Sequence, residues 1–327
     1  MRTLAFFNNK GGVGKTTLLY HVAHMMAQLG HSVLVADLDP QANSTGMMLS
    51  LDRVEEIWSA EPKDRGTIFG CLDPLIRGIG DIRPAKVEPI DDGLGLVPGD
   101  LALSTFEDQL SETWPKCHNR EERAFRVTTA MYRVIFEAAN RTGATWVLID
   151  VGPNLGAINR SALIASDLVV VPVAPDLFSV QGLQNLGPSL RSWRASWTDL
   201  KPKSPDPSMP LPSGEMKSLG YVVLQHGIRD NRPPKAYQKW MNRIPETFHS
   251  AVLGEPRPGI LMLDDPYSLA TIKHYRSLVP MAMEVRKPIF DLKPADGAIG
   301  AHVEAVSRVR QDFERLTERI IQAAEQS

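Results

Sequence analysis

The sequence predicts an α/β fold: a doubly wound, mostly parallel sheet flanked by helices. Three observations lead there. Short apolar runs rich in Val, Ile and Leu recur along the chain, helical periodicity lies between them, and a glycine-rich turn joins the first run to the first helix. Taken in order, residues 4–7, 33–36, 94–97, 146–149, 168–173 and 221–224 read as strands covered on both faces, because polar alternation is nearly absent. Between the first two, Leu18, Leu19, Val22, Met25, Met26 and Leu29 fall at helical spacing over residues 16–29, and Gly30 follows as a C-terminal stop. Residues 121–139 and 179–193 carry further helical patterns.

Pro202, Pro205, Pro207, Pro210 and Pro212 break the rhythm, so residues 199–215 are expected to form a stiff surface insertion. Val303, Val306, Val309, Phe313, Leu316 and Ile320 share one face of a C-terminal helix at about 298–324. One domain spanning 1–327 is expected, with no internal repeat. Its first strand is expected to begin at residue 2 or 3, so no helix-turn-helix unit is expected ahead of it.

Composition bounds the function. The chain has 327 residues, 43% of them hydrophobic, enough for one large core. With 36 Lys+Arg against 38 Asp+Glu, overall charge does not favour nucleic acid, so any such contact must come from a local patch. Cys71 and Cys117 stand far apart without a CxxC pair, which fits a reducing compartment and argues against a disulfide scaffold or structural zinc. No apolar run approaches the ~20 residues of a membrane span and no signal peptide is evident, so the expected location is cytoplasmic.

The decisive segment runs Asn8, Asn9, Lys10, Gly11, Gly12, Val13, Gly14, Lys15, Thr16, Thr17 between a strand and a helix. Glycines there let successive backbone N–H groups converge on phosphate oxygens. Lys15 is placed to reach the β- and γ-phosphates, and the Thr16 hydroxyl to ligate Mg²⁺. Where the strict Walker pattern has its first glycine this chain has Asn9, and Lys10 adds a second lysine. A dinucleotide fingerprint is excluded because Thr17 occupies its third glycine position.

Two acids stand beside this loop. The second run leads into Asp37-Leu38-Asp39-Pro40-Gln41-Ala42-Asn43, and the fourth ends in Asp150. Asp150 is a candidate for the metal's outer shell. Val151 follows it where many ATPases place a glutamate, which leaves Asp39 as the candidate for orienting the attacking water. A lone Asp at a strand end serves equally well as a turn or cap, but two beside a phosphate loop favour function.

These blocks, KGGVGKTT at 10–17, DLDPQAN at 37–43, LID at 148–150 and VVVPVAPDLFSVQGL at 169–183, resemble the ParA/MinD family of deviant-Walker P-loop NTPases, specifically its ParA/Soj branch. KPIFDLKP at 287–294 is a weaker match. The resemblance covers most of residues 1–190 and is diffuse beyond 225. It implies an ATP-sandwich homodimer with ATP and Mg²⁺ as cofactors. Lys10 would cross to the partner's phosphates, Lys15 and Thr16 would serve phosphate and metal, and Asp39 would position water, with Asp39 and Asp150 reaching Mg²⁺ through water. It also implies non-specific DNA binding in the ATP state and a ParB-like activator. Adenine contacts fall in the divergent half, where Gln225 and His226 are the candidates. One departure stands out: relatives usually read Asp-x-Pro-Pro, whereas this chain has Asp150-Val151-Gly152-Pro153-Asn154.

Among surface features, Arg232, Lys235, Lys239 and Arg243 would form one basic stripe if helical, with Tyr237 and Trp240 on neighbouring faces; a merely solvated face is the competing reading. Lys273, Arg276, Arg286 and Lys287 form a weaker basic set. On the C-terminal helix, Arg308, Arg310, Arg315 and Arg319 alternate with Asp312, Glu314 and Glu318, which favours packing on the core or a partner over a membrane. His21 and His24 are expected on the surface of the first helix. The leading function is a DNA-partition or cargo-positioning ATPase associated with the nucleoid. A MinD-like membrane ATPase ranks second, and an electron-transfer ATPase like the nitrogenase iron protein third, since neither cysteine sits in a ligand-like context.

Overall fold

The computed structural model describes residues 1–224, 234–256, 259–275 and 277–327, with side chains for all of these except 234–237. Eight strands form one sheet: β1 (Arg2–Phe6), β2 (Val33–Asp37), β3 (Glu88–Asp91), β4 (Leu94–Val97), β5 (Trp146–Asp150), β6 (Leu168–Val173), β7 (Lys217–Leu224) and β8 (Ser268–Ile272). Their order is β3-β4-β2-β5-β1-β6-β7-β8. Every neighbouring pair is parallel except the β3–β4 hairpin.

The helices are α1 (Lys15–Gln28), α2 (Asn43–Met48), α3 (Leu51–Ser59), α4 (Ile68–Ile76), α5 (Glu107–Lys116), α6 (Glu122–Thr128) and α7 (Ala130–Thr142) in the first half. α8 (Ala157–Ile164), α9 (Leu177–Leu200), α10 (Pro234–Thr247), α11 (Leu278–Val285) and α12 (Ala301–Glu325) follow.

Alternation within each strand divides the core between two faces. On β5, Val147 and Ile149 join the cluster beneath α4 to α10, while Trp146 and Leu148 join the cluster beneath α1, α3, α11 and α12. Cover on both sides is what made these strands read as unbroken apolar runs. It also leaves the carboxyl ends of β1, β2 and β5 as the natural place for a ligand, at the point where chain order reverses around β1.

The sequence reading needs several corrections. β3 and β8 were not anticipated: both lie at sheet edges, and Glu88-Pro89-Ile90-Asp91 is too polar to register as a buried run. The helix expected over 121–139 is two helices that meet at Thr129, whose hydroxyl donates to the carbonyl of Phe125. α9 runs well past residue 193 and carries Gly187 where a Cβ would sit 1.8 Å from the carbonyl oxygen of Ala251, so only glycine permits that approach to the π-helix Phe248–Leu253. The proline-rich insertion is anchored to the core as well as exposed: Trp197 Nε1 donates to Pro212 O at 3.1 Å, and Met209 is buried.

His21 and His24 are buried, not on the surface, because α12 and the segment after α11 cover that side of α1. The His21 ring stacks on Phe313 at 4.7 Å, its Nδ1 lies 2.7 Å from Thr17 O, and its Nε2 accepts from Ile289 N at 3.1 Å. Burial pushes the imidazole down to about 4, against the opposing pull of the Thr17 carbonyl. An unfolded chain would protonate this ring near 6.5, so between those values only the unfolded state takes up the proton. The stabilisation is therefore complete above about pH 6.5 and lost as pH falls towards 4, by roughly 3 kcal/mol in all. In urea titrations, the stability advantage of the parent protein over His21→Gln should shrink by roughly 2.5 kcal/mol between about pH 7 and about pH 4.5. A pH-independent difference would refute this role.

Both cysteines are also in the core, Cys71 on α4 and Cys117 in a 3₁₀ turn after α5. Burial pushes the Cys71 thiol up to about 12 and raises that of Cys117. A cluster ligand at a subunit face requires accessible thiolate, which neither supplies. On α12, Val309, Phe313, Leu316 and Ile320 are spent on packing against α1 and β8, while Val303 stays exposed. Among the described residues no helix is long and apolar enough to cross a membrane.

Candidate functional site

The loop between β1 and α1 is built to expose backbone amides. Gly12 and Gly14 adopt positive φ of 70° and 87°, a region costly for other residues. Gly14 caps α1 with no side chain bonded to the first-turn N–H groups, which leaves the positive end of the helix dipole unscreened. Asn8 braces the loop, donating from Nδ2 to Pro172 O at 2.7 Å and accepting from Lys10 N at 3.0 Å. From behind, α9 presents Gly182, where a Cβ would sit 2.8 Å from Asn9 Oδ1 and 2.9 Å from Asn8 Oδ1.

Lys15, Thr16, Asp39 and Asp150 come together at the ends of β1, β2 and β5. The Lys15 amine is buried 3.5 Å from Lys10 O. Burial lowers its pKa, while Asp150 and Asp39 pull the other way. Thr16 Oγ1 donates to Asp150 Oδ2 at 2.9 Å, and Ser44 Oγ donates to the same oxygen at 2.6 Å. Asp150 Oδ1 is buried with no hydrogen-bond partner among the described residues. Asp37, level with Asp150 across the β2–β5 ladder, accepts from both the backbone N–H and the hydroxyl of Thr45. Burial, then the neighbouring carboxylates, raise Asp37 to about 8; Asp150 is raised to about 6, chiefly by burial. Such a cluster is short of positive charge. An orphaned carboxylate oxygen beside a threonine hydroxyl fits a hard cation with oxygen ligands, Mg²⁺, and the amide-lined loop fits the phosphates it would accompany.

Asp39 closes a tight turn: its Oδ1 accepts from Gln41 N at 3.0 Å, and Ala42 sits at φ 51°, ψ 39°. Gly152 lies against it, since a Cβ there would be 3.1 Å from Asp39 Oδ1. The departure from Asp-x-Pro-Pro thus gives the Asp39 carboxylate room that a larger residue would take. Lys10 points sideways, its Nζ 2.5 Å from Asp176 Oδ2, while Asp176 Oδ1 caps α9 by accepting from Ser179 N. Asp176 was not singled out in the sequence; no local pattern links positions 166 residues apart.

A cavity of about 190 Å³ opens beside the loop, lined by Val13, Gly14, Thr17, Leu224, Lys273 and Tyr275 among others. Gln225 and His226, the sequence candidates for adenine contact, lie outside the described residues, as does Arg232 of the basic stripe. Lys235 falls on α10, though its side chain is not among those described. Lys239 and Arg243 are exposed on α10, with their charged groups 5.4 Å and 5.1 Å from the centre of the Trp240 ring. The members of the second basic set among the described residues stand in different settings. Lys273 lines the cavity, Lys287 is paired with Asp296, Arg286 donates to the carbonyls of Gly46 and Leu49, and Arg276 is outside the described residues.

A family model described as an AAA domain matches residues 1–200, the part of the chain that holds this whole acidic and phosphate-loop cluster. The chain belongs to that family, on its ParA/MinD branch. It is 33% identical over 198 residues to the chromosome partitioning protein ParA of Caulobacter vibrioides, an alignment covering 60% of this chain and 64% of that relative. The match thus spans a little under two thirds of the relative's length. Among solved structures, a Corynebacterium diphtheriae protein aligns over 99% of this chain and 98% of its own, with 25% identity and a TM-score of 0.69. A Cyanothece McdA solved as an ATP complex aligns over 98% and 96%, with a TM-score of 0.61. At 16% identity, that likeness speaks for the fold alone.

Proposed function

We propose that this ParA/MinD-family chain is an ATPase that switches between monomer and ATP-bound homodimer to partition DNA or position cargo. The observation that carries the reading is the convergence of Lys15, Thr16, Asp39 and Asp150 beneath an amide-lined loop that also bears Lys10. Residues Lys10 to Thr17 would hold the triphosphate, with the base in the cavity beside Val13 and Tyr275. Thr16 would ligate Mg²⁺, with Asp39 and Asp150 reaching it through water. When bound, the metal would neutralise charge developing on the transferred phosphoryl group. Asp39 would orient the attacking water, and Lys10, once free of Asp176, would reach the phosphates of a second copy.

The relative named for chromosome partitioning supports DNA as the surface on which the switch acts. Lys239 and Arg243 would meet the phosphate backbone, giving contact without sequence preference, and a ParB-like protein would trigger hydrolysis. Immobilised duplex DNA should retain the protein with ATP but not with ADP, and retention should fall steeply as salt rises. Equal retention in both nucleotide states would defeat the reading. Nucleotide-dependent sedimentation with liposomes, in place of DNA, would favour membrane positioning instead. The buried stripe of α12 speaks against that outcome.

A further inference from the structure

We infer that Ser44 is a positioning residue that locks the Asp39 turn to Asp150 and so sets the geometry of the metal and the attacking water together. The inference rests on the reading of this site as one for Mg²⁺ and ATP.

Ser44 is fully buried in the first turn of α2, five positions after Asp39. Its hydroxyl and that of Thr16 share one acceptor, Asp150 Oδ2, at 2.6 Å and 2.9 Å. The two donors differ in what else they must do. Thr16 stands on the phosphate loop and would turn a lone pair to the metal, whereas Ser44, on α2, would keep its bond to Asp150 when metal binds. With Oδ2 held from the side of α2, the orphaned Oδ1 is the oxygen left for the metal's water.

The same bond acts backwards along the chain. The turn from Asp39 to Ala42 is short and includes a left-handed residue, and it is fastened just beyond its end by Ser44 to Asp150 and by Thr45 to Asp37. Thr45 is held in turn by Gly99 N, which donates to its hydroxyl at 2.7 Å. At the far end of α2, Arg286 grips the carbonyls of Gly46 and Leu49. α2 is therefore a strut fixed at both ends. Of the fastenings described, Ser44 is the one that reaches Asp150.

The test compares the parent protein with Ser44→Ala and Ser44→Thr in two assays. One is fluorescent-ATP binding across a Mg²⁺ titration, and the other is steady-state phosphate release. For Ser44→Ala we expect metal-free nucleotide affinity within twofold of the parent, a roughly tenfold higher Mg²⁺ requirement, and kcat lowered by about 10- to 100-fold. Ser44→Thr, which keeps the hydroxyl, should recover most of both. A purely structural serine would lower the melting temperature and leave the Mg²⁺ requirement unchanged. That result, or parental Mg²⁺ dependence and kcat in Ser44→Ala, overturns the inference. If the parent binds nucleotide but does not turn over, the ATPase reading fails while the Mg²⁺ titration still decides for or against Ser44. A parent that binds no nucleotide overturns both.

Discussion

Lys15→Ala is expected to weaken ATP binding by at least ~100-fold, the largest single effect on the site. The Lys15 amine is buried beneath the loop, where burial penalises its charge and Asp150 and Asp39 help sustain it. Among the described residues its one hydrogen bond is the 3.5 Å contact to Lys10 O, too long to be strong, so the amine is available to a ligand. A triphosphate would supply two oxygens to it, and charge-assisted hydrogen bonds of this kind contribute roughly 1.5–3 kcal/mol each. Losing two costs about 3–6 kcal/mol, or roughly two to four orders of magnitude in affinity. Equilibrium titration with a fluorescent ATP analogue reads this directly. An affinity within about threefold of the parent would show that the phosphates lie elsewhere.

Asp39→Ala is expected to behave oppositely, binding ATP at least as tightly as the parent but turning it over at least ~100-fold more slowly. Three carboxylates, Asp37, Asp39 and Asp150, crowd the ends of β2 and β5, and their mutual repulsion contributes to the raised values of Asp37 and Asp150. Removing one makes the site less hostile to an anionic nucleotide. It also removes the carboxylate assigned to the attacking water, and Val151 offers no substitute at the neighbouring strand end. Phosphate release and nucleotide binding measured on the same preparation separate the two effects. Parental turnover in Asp39→Ala would transfer the water-positioning role to another group.

The sequence disclosed the parts of the molecule whose physics is local. The phosphate loop requires its glycines, lysine and threonine within ten consecutive positions, and strands buried on both faces must be apolar along their whole length. What escaped is set by tertiary contact. β3 and β8 are edge strands, one of them polar. His21 and His24 look like surface residues until α12 and the 286–293 segment fold over α1. The partner of Lys10 is 166 residues away, and the bond from Ser44 to Asp150 spans 106. Lys273 and Tyr275 lie in the half where family resemblance is weak, and they gain meaning only when β8 sets them beside Val13. Gly152 stands out in the sequence as a departure, but its closeness to Asp39 Oδ1 appears only when the two strand ends meet.

The ion pair between Lys10 and Asp176 has one more implication for the proposed cycle. Both side chains are about one fifth to one quarter exposed, so dissolved ions reach them and weaken their attraction. Added salt would loosen that pair, and it would equally weaken the reach of Lys10 to a partner's phosphates and of Lys239 and Arg243 to DNA. Self-association and retention on DNA would then both weaken as ionic strength rises, so two steps of the proposed cycle would share one sensitivity to salt.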